Sequence, residues 1–324
     1  MKALLAGKLS IVAVLLLLLL MVGVTFFVSN EPEPFSPAAL VRDKQAVVGS
    51  ATVLTLVEVA GTLLDKSGGY ITNDVTPPFL FLDDMPAWEL GVLTQVRDLA
   101  RSLRNDFSRS QTQSLEHQLL ALADPQFSLP NDSWMFPASE TEYQKGIDAL
   151  VEFEQRLRER QQSDTQFYAR ADNLRAWLAL VQKRIGGVAQ QLAASVGEQR
   201  VNVDLAGDAA AVQSTVSAPV EQVATPWLQI DDVFYEARGT AWALLHFLKA
   251  VEIDFAAVLE KKNAQASLRQ IIVALEGSLQ PVTSPMVLNG DGFGLMANYS
   301  LVMTSYISRA NAALIELRTL LAEG

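Results

Sequence analysis

The sequence predicts an all-α protein: an N-terminal single transmembrane helix followed by a helical bundle of seven to nine helices. Three observations carry this. Ile11–Val28 holds no charged residue and contains six consecutive leucines, Leu15–Leu20. Apolar residues then recur at steps of three and four through most of the chain. Strong runs of alternating, β-branched character are absent.

The first element is the anchor, residues 9–28. Eighteen residues at ~1.5 Å rise give roughly 27 Å, about the thickness of a bilayer's hydrocarbon core. Lys2 and Lys8 precede the run and Glu31 and Glu33 follow it, so the N-terminus is expected inside and the domain outside. Arg42 and Lys44 on the far side keep that bias modest. A cleaved signal peptide is the competing reading. It needs an apolar core of about 7–15 residues and a small-x-small site. This core is longer, and Phe26-Phe27-Val28-Ser29-Asn30 offers no such site. With no cysteine to acylate, a lipoprotein signal is excluded.

Absence of cysteine also removes thiol catalysis, iron–sulfur clusters and cysteine-ligated zinc. The chain carries a formal −11, and the first 30 residues contribute only two lysines, so residues 31–324 carry −13. Such a domain lacks the basic footprint of a nucleic-acid binder and is unsuited to broad contact with anionic lipid.

Glu31–Pro37 has three prolines in seven residues, the composition of an extended, semi-rigid spacer. Ser36-Pro37 starts a helix expected to run to about Leu64, ended by Lys66-Ser67-Gly68-Gly69. Tyr70–Pro86 is irregular. Pro86 opens the next helix, with Val92, Val96, Leu99, Leu103 and Phe107 as its stripe. A short helix is expected around Leu115–Leu122, then a loop over 124–138 with three prolines. Ser139 and Glu142 have capping-box spacing, and a helix should reach about Gln162.

Phe167, Ala171, Leu174, Leu178, Val181, Ile185, Val188 and Leu192 form a heptad seam. An intramolecular hairpin with the preceding helix, through Tyr143, Ile147, Leu150 and Leu157, is favoured over a dimeric coiled coil, because that partner is adjacent in sequence. A homo-oligomer is therefore the less favoured arrangement. Residues 197–226 break the pattern. A mobile connection is preferred there, with a small hairpin around Val201–Leu205 as the alternative. Asp231 or Asp232 caps a helix whose stripe runs from Val233 to Val258. Further helices are expected near Gln265–Leu279 and from Leu295 to Leu321. The resulting organisation is tail and anchor over 1–30, spacer over 31–37, a bundle lobe over 38–196, a flexible connection over 197–226, and a C-terminal lobe over 227–324.

No motif carries chemistry. Asn289–Gly294 resembles a calcium loop, but the fifth and twelfth positions are Phe293 and Ser300, so an EF-hand is rejected. Asp83 and Asp84 are adjacent and precede a helix, where capping and the helix dipole explain them. Only two histidines exist, His117 and His246, and His246 sits mid-helix among apolar neighbours. Serine-hydrolase and P-loop motifs are absent. No cofactor, metal or nucleic acid is implied.

Several segments together resemble a known family: Gly69–Asp74 with Pro77-Pro78 and Met85–Glu89, Ile230–Gly239, and Asn289–Gly294. The anchor's position matches too. The family comprises membrane-anchored bacterial proteins, mostly Gram-negative, catalogued only as a domain of unknown function. The resemblance spans nearly the whole chain. It implies an inner-membrane protein with its C-terminal domain in the periplasm, and it carries over no activity or ligand. The expected function is thus a non-catalytic scaffold or adaptor of the cell envelope, with an envelope protein as partner. The alternative is an envelope enzyme or small-ligand binder whose pocket joins residues 70–89, 231–238 and 289–294. Its candidate residues are Tyr70, Asn73, Asp74, Asp83, Trp88, Asp231, Tyr235, Arg238, Asn289 and Asp291.

Overall fold

A computed structural model describes residues 2–42, 45–111, 113–159, 165–201, 220–284, 286–292 and 294–323. Among them are eleven α-helices and one two-stranded ribbon, so the chain is all-α. The first helix, Lys2–Val28 (α1), contains the apolar run. It is the one helix among the described residues long and apolar enough to cross a membrane, a test that a signal sequence also passes. Its C-terminal turns touch the rest of the chain: Val24 packs on the core and Val28 is buried against Gly68.

The helix expected from Pro37 to Leu64 is broken in two. Pro37–Val41 (α2) is one turn and Ser50–Asp65 (α3) starts afresh. Gly49 stands between them at φ 101°, where a Cβ would strike the Phe167 ring. The new N-terminus is capped from afar. The Asp254 carboxylate accepts from Gly49 N at 2.8 Å and from Thr52 N and Oγ1, both at 2.7 Å. Burial raises the Asp254 pKa, and these bonds oppose the rise.

Asp84–Ser102 (α4) begins with Asp83 as its N-cap and continues as a π-helical turn over Leu103–Phe107. Gln118–Phe127 (α5) carries Pro125 inside it, so the expected loop starts only at Ser128. Ser139–Glu159 (α6) packs on α5 and α3. The predicted end near Gln162 and the joint at Ser163-Asp164 lie outside the described residues.

Ala171–Val196 (α7) buries the predicted seam, but not against α6. Its main partner is the C-terminal helix, Tyr299–Ala322 (α11). The favoured hairpin is therefore corrected. The reason is visible in α11, whose buried Met303, Ile307, Ala310, Leu314, Leu317 and Leu321 repeat in steps of four and three. Two heptad seams meet antiparallel, with Arg318 donating to Gln182 at one level and Asn289 donating to the Ser195 carbonyl near the other. The approach to α7 is also pinned elsewhere, since Tyr168 N donates to Phe107 O at 2.7 Å.

Glu198–Val201 (β1) pairs antiparallel with Val220–Val223 (β2). The rest of the suggested hairpin around 202–205 lies outside the described residues. Ile230–Asp254 (α8) has Gln229 at its N-cap, with Asp231 and Asp232 in its first turn, not at the cap. It is buried on nearly every side and forms the centre of the bundle. Ala256–Lys261 (α9) and Gln265–Ser278 (α10) follow. The last helix starts at Tyr299, later than Leu295, because Asn298 caps it by accepting from Leu301 N at 2.8 Å.

Candidate functional site

α4 and α8 are the framework. They run parallel: Asp84 lies by Asp231 and Asp232, Gly91 by Glu236 and Thr240, and Phe107 by Phe255. Two glycines let the backbones touch. A Cβ at Gly91 would sit 2.2 Å from the Glu236 carbonyl oxygen, and one at Gly239 would sit 2.0 Å from that of Trp88. Parallel packing sets two helix N-termini side by side. Asp83, Asp84, Asp231 and Asp232 fill the first turns, where carboxylates oppose the summed dipoles. Their mutual repulsion has a consequence at Asp84. Burial first, then Asp231, Asp83, Asp232 and Glu31, push its pKa up to about 7. Its Oδ1 is buried without a hydrogen-bond partner.

Most of the candidate residues are tied into the fold. Tyr70 is buried, donates to Asn131 O at 3.1 Å and meets Tyr143 edge-on; burial raises its pKa. Asn73 donates to Ser133 O at 2.8 Å and Glu140 Oε2 at 2.7 Å. Asp74 is half-buried, and burial with the Glu140 charge raises its pKa, Lys66 opposing. Asp83 is exposed at its cap position. Trp88 is fully buried against Trp242. Arg238 is bonded to Glu31 and to the carbonyls of Ser278 and Gln280. Tyr235 is half-buried, and burial with Asp84 and Glu31 pushes its pKa up to about 12, Arg238 opposing. Asn289 bonds Ser195 O, and Asp291 is an exposed residue of the turn before α11.

Two hollows each join two of the three segments. A hollow of about 480 Å³ joins Ile71, Thr72, Asp74 and Asp83 to Asp232 and Glu236. A second, about 280 Å³, joins Trp227 and Asp231 to Asn289 and Met296. The larger concavity is elsewhere, a cleft of about 600 Å³ between α4, α7 and α8. Thr94, Gln95, Arg184, Gly187, Gln191 and Glu236 are among its walls. Arg184 holds Asp98 through Nε at 2.6 Å and Nη2 at 3.1 Å, while the buried Gln95 Nε2 has no partner. Burial and Asp232 raise the Glu236 pKa, with Arg184 opposing. Sequence reasoning missed this cleft. Its available signal was Gly186-Gly187, a helix-weakening pair in the middle of the heptad seam, and a Cβ on either would meet nothing within 4 Å.

Two further residues organise the irregular segments. Glu89 is fully buried, accepts from Ile71 N and Thr72 N, both at 2.9 Å, and pairs with the equally buried Lys66 at 2.6 Å. This shapes the Gly69–Asp74 turn. His246 donates from Nδ1 to Trp242 O at 2.6 Å and accepts at Nε2 from Phe35 N at 3.0 Å. Among the described residues no group of three or more histidines and acids could hold a metal ion.

A family described as an uncharacterised protein conserved in bacteria, DUF2333, matches residues 2–324. The chain belongs to the DUF2333 family. The DUF2333 match takes in α1, the α4–α8 pair and the segments at 70–89, 231–238 and 289–294 alike. No curated protein and no solved structure matches the chain.

Proposed function

We propose that this protein is a single-pass adaptor of the bacterial inner membrane, with a cytoplasmic N-terminus and a non-catalytic helical domain in the periplasm. The observation that carries this reading is how the buried polar side chains of α4 and α8 are used. Glu89, Arg238 and His246 bind the loops and the residues after the anchor to the bundle. Chemistry-bearing groups in an active site face a substrate; these are taken up by backbone and side-chain partners of their own chain. The α4–α7–α8 cleft is then the surface offered to a partner protein, with Gly187 letting a partner approach the α7 backbone.

The test is twofold. A C-terminal alkaline phosphatase fusion should be active, because that reporter folds only outside the cytoplasm. Activity confined to a cytoplasmic reporter would reverse the orientation. A photo-crosslinking residue at Gln191 of the full chain should capture one discrete envelope protein in living cells, and Gly187→Trp should abolish the adduct. Capture unaffected by Gly187→Trp would remove the cleft from the proposal.

The second reading is an enzyme or small-ligand binder at the hollow beside Asp83 and Asp232. Asp74 and Asp232 on its walls favour it, since burial raises the pKa of both carboxyls. If Asp232→Asn failed to complement loss of the gene while cleft substitutions complemented it fully, this reading would replace the first.

A further inference from the structure

We infer that the end of the domain from which α1 departs is seated in the bilayer interface, with loop aromatics entering the headgroup layer of an electroneutral phospholipid surface. The inference rests on reading α1 as membrane-spanning, and goes beyond it, since an anchor alone requires no lipid contact by the domain.

The topology places four loops at that end. Val28 closes on Gly68, beside the turn after α3. The loop before α6 is joined to that turn by the bonds from Tyr70 to Asn131 and Asn73 to Ser133. The N-termini of α4 and α8 meet there, and the hollow lined by Trp227, Asn289 and Met296 brings in the segments before α8 and α11. These loops expose Phe81, Trp134, Phe136, Trp227, Leu295 and Met296. Among the described residues, every exposed tryptophan or phenylalanine lies on these loops or on the anchor itself, at Phe26 and Phe27. A water-facing surface has no reason for that segregation. An interface does, because tryptophan and its neighbours favour the headgroup level.

The anchor supplies the depth. Val24 and Val28 of its last turns pack on the domain core, and Met21 and Thr25 on the same helix face are half-buried. Those turns belong to the apolar span and cover about 10 Å of its axis. The domain therefore overlaps the upper part of the span, enough to carry its loops to the headgroup layer, which is roughly 5–7 Å deep. Charge sets the lipid. Asp74, Asp83, Asp231, Asp232 and Asp291 lie at this end, while Lys66 and Arg238 there are paired with Glu89 and Glu31. Such a face suits zwitterionic headgroups such as phosphatidylethanolamine and is repelled by anionic ones.

The native chain has no cysteine, so a single introduced cysteine is a unique spin-label site. The full chain in nanodiscs of phosphatidylcholine and phosphatidylethanolamine is labelled at Phe81→Cys, Phe136→Cys or Leu295→Cys, with Leu18→Cys in the anchor and Leu115→Cys at the opposite end as references. The ratio of oxygen to water-soluble nickel-complex collision rates should be several-fold higher at the three loop sites than at position 115, and should fall when phosphatidylglycerol is added. In the unlabelled chain, brominated lipids should quench the fluorescence of Trp134 and Trp227, an effect that Trp134→Phe with Trp227→Phe removes. Loop sites as aqueous as position 115, with position 18 in lipid, overturn the inference and leave the anchor standing. An aqueous position 18 overturns both. Loop sites shielded from both relaxers assign the face to a protein partner and overturn the lipid reading.

Discussion

Glu31 and Arg238 stand 207 residues apart in sequence, yet both carboxylate oxygens of Glu31 accept from the one guanidinium, Nη2 to Oε2 at 2.7 Å. The pair closes the first residues after α1 onto the central helix. Arg238 also holds two carbonyls at and just after the end of α10, so its removal leaves several buried acceptors unpaired. Arg238→Met should destabilise the chain by about 3–5 kcal/mol and Glu31→Gln by less, with a coupling of about 1–3 kcal/mol in the double mutant. Thermal unfolding in detergent micelles measures all four states. Strict additivity would mean the two side chains act independently.

Glycines divide into two kinds. Gly91→Ala and Gly239→Ala force a methyl into a backbone oxygen and should each cost about 3 kcal/mol or more. Gly186→Ala and Gly187→Ala meet open space and should each stabilise by up to about 1 kcal/mol through helix propensity. A melting temperature that rises for the first pair, or falls for the second, contradicts the packing described.

The α7–α11 seam is core. Leu178→Ala and Leu314→Ala should each cost about 2–5 kcal/mol, since both side chains are fully buried. Light scattering should record the same particle mass for variant and wild type. A variant that dissociates a dimer with no loss of melting temperature would turn the seam into an interface between copies.

Acid should loosen the clasp at His246. Burial lowers its pKa from 6.5 to about 4, the Trp242 carbonyl bond opposing and Lys249 assisting. Between those values the unfolded chain takes up a proton that the folded chain refuses, so stability is lost as pH falls through that window. Asp84 acts with the opposite sign: raised from 3.8 to about 7, it contributes stability that fades as pH rises between them. His246→Gln should remove part of the acid-side loss, and Asp84→Asn should flatten the decline toward neutrality. Melting temperatures from pH 4 to 8 read both; profiles parallel to wild type would refute the assignments.

The apolar run, the helical class and most helix positions were legible because they are local: periodicity, caps and composition act within a few residues. The break before α3 was not, because its cap is Asp254, two hundred residues away. The partner of the α7 seam was misjudged by favouring the nearest helix in sequence, although a matching repeat from Met303 to Leu321 was there to be read. At the candidate site, Tyr70 and Asn73 stand out in an irregular segment and Arg238 as a charge within the apolar stripe of α8. Their partners, the Asn131, Ser133, Ser278 and Gln280 carbonyls, are backbone atoms on other loops, and a sequence gives no sign of them.

The residues after α1 do not behave as a slack tether. Phe35 stacks on His246 with ring centroids 4.0 Å apart, and Glu31 is gripped by Arg238. A body on a loose stalk samples a whole hemisphere of tilts above its membrane. With α1 spanning a membrane as proposed above, this one would keep two freedoms, sliding in the plane and spinning about the normal. A partner in the same membrane would meet it at fixed height and latitude, with much of the rotational entropy of encounter already removed.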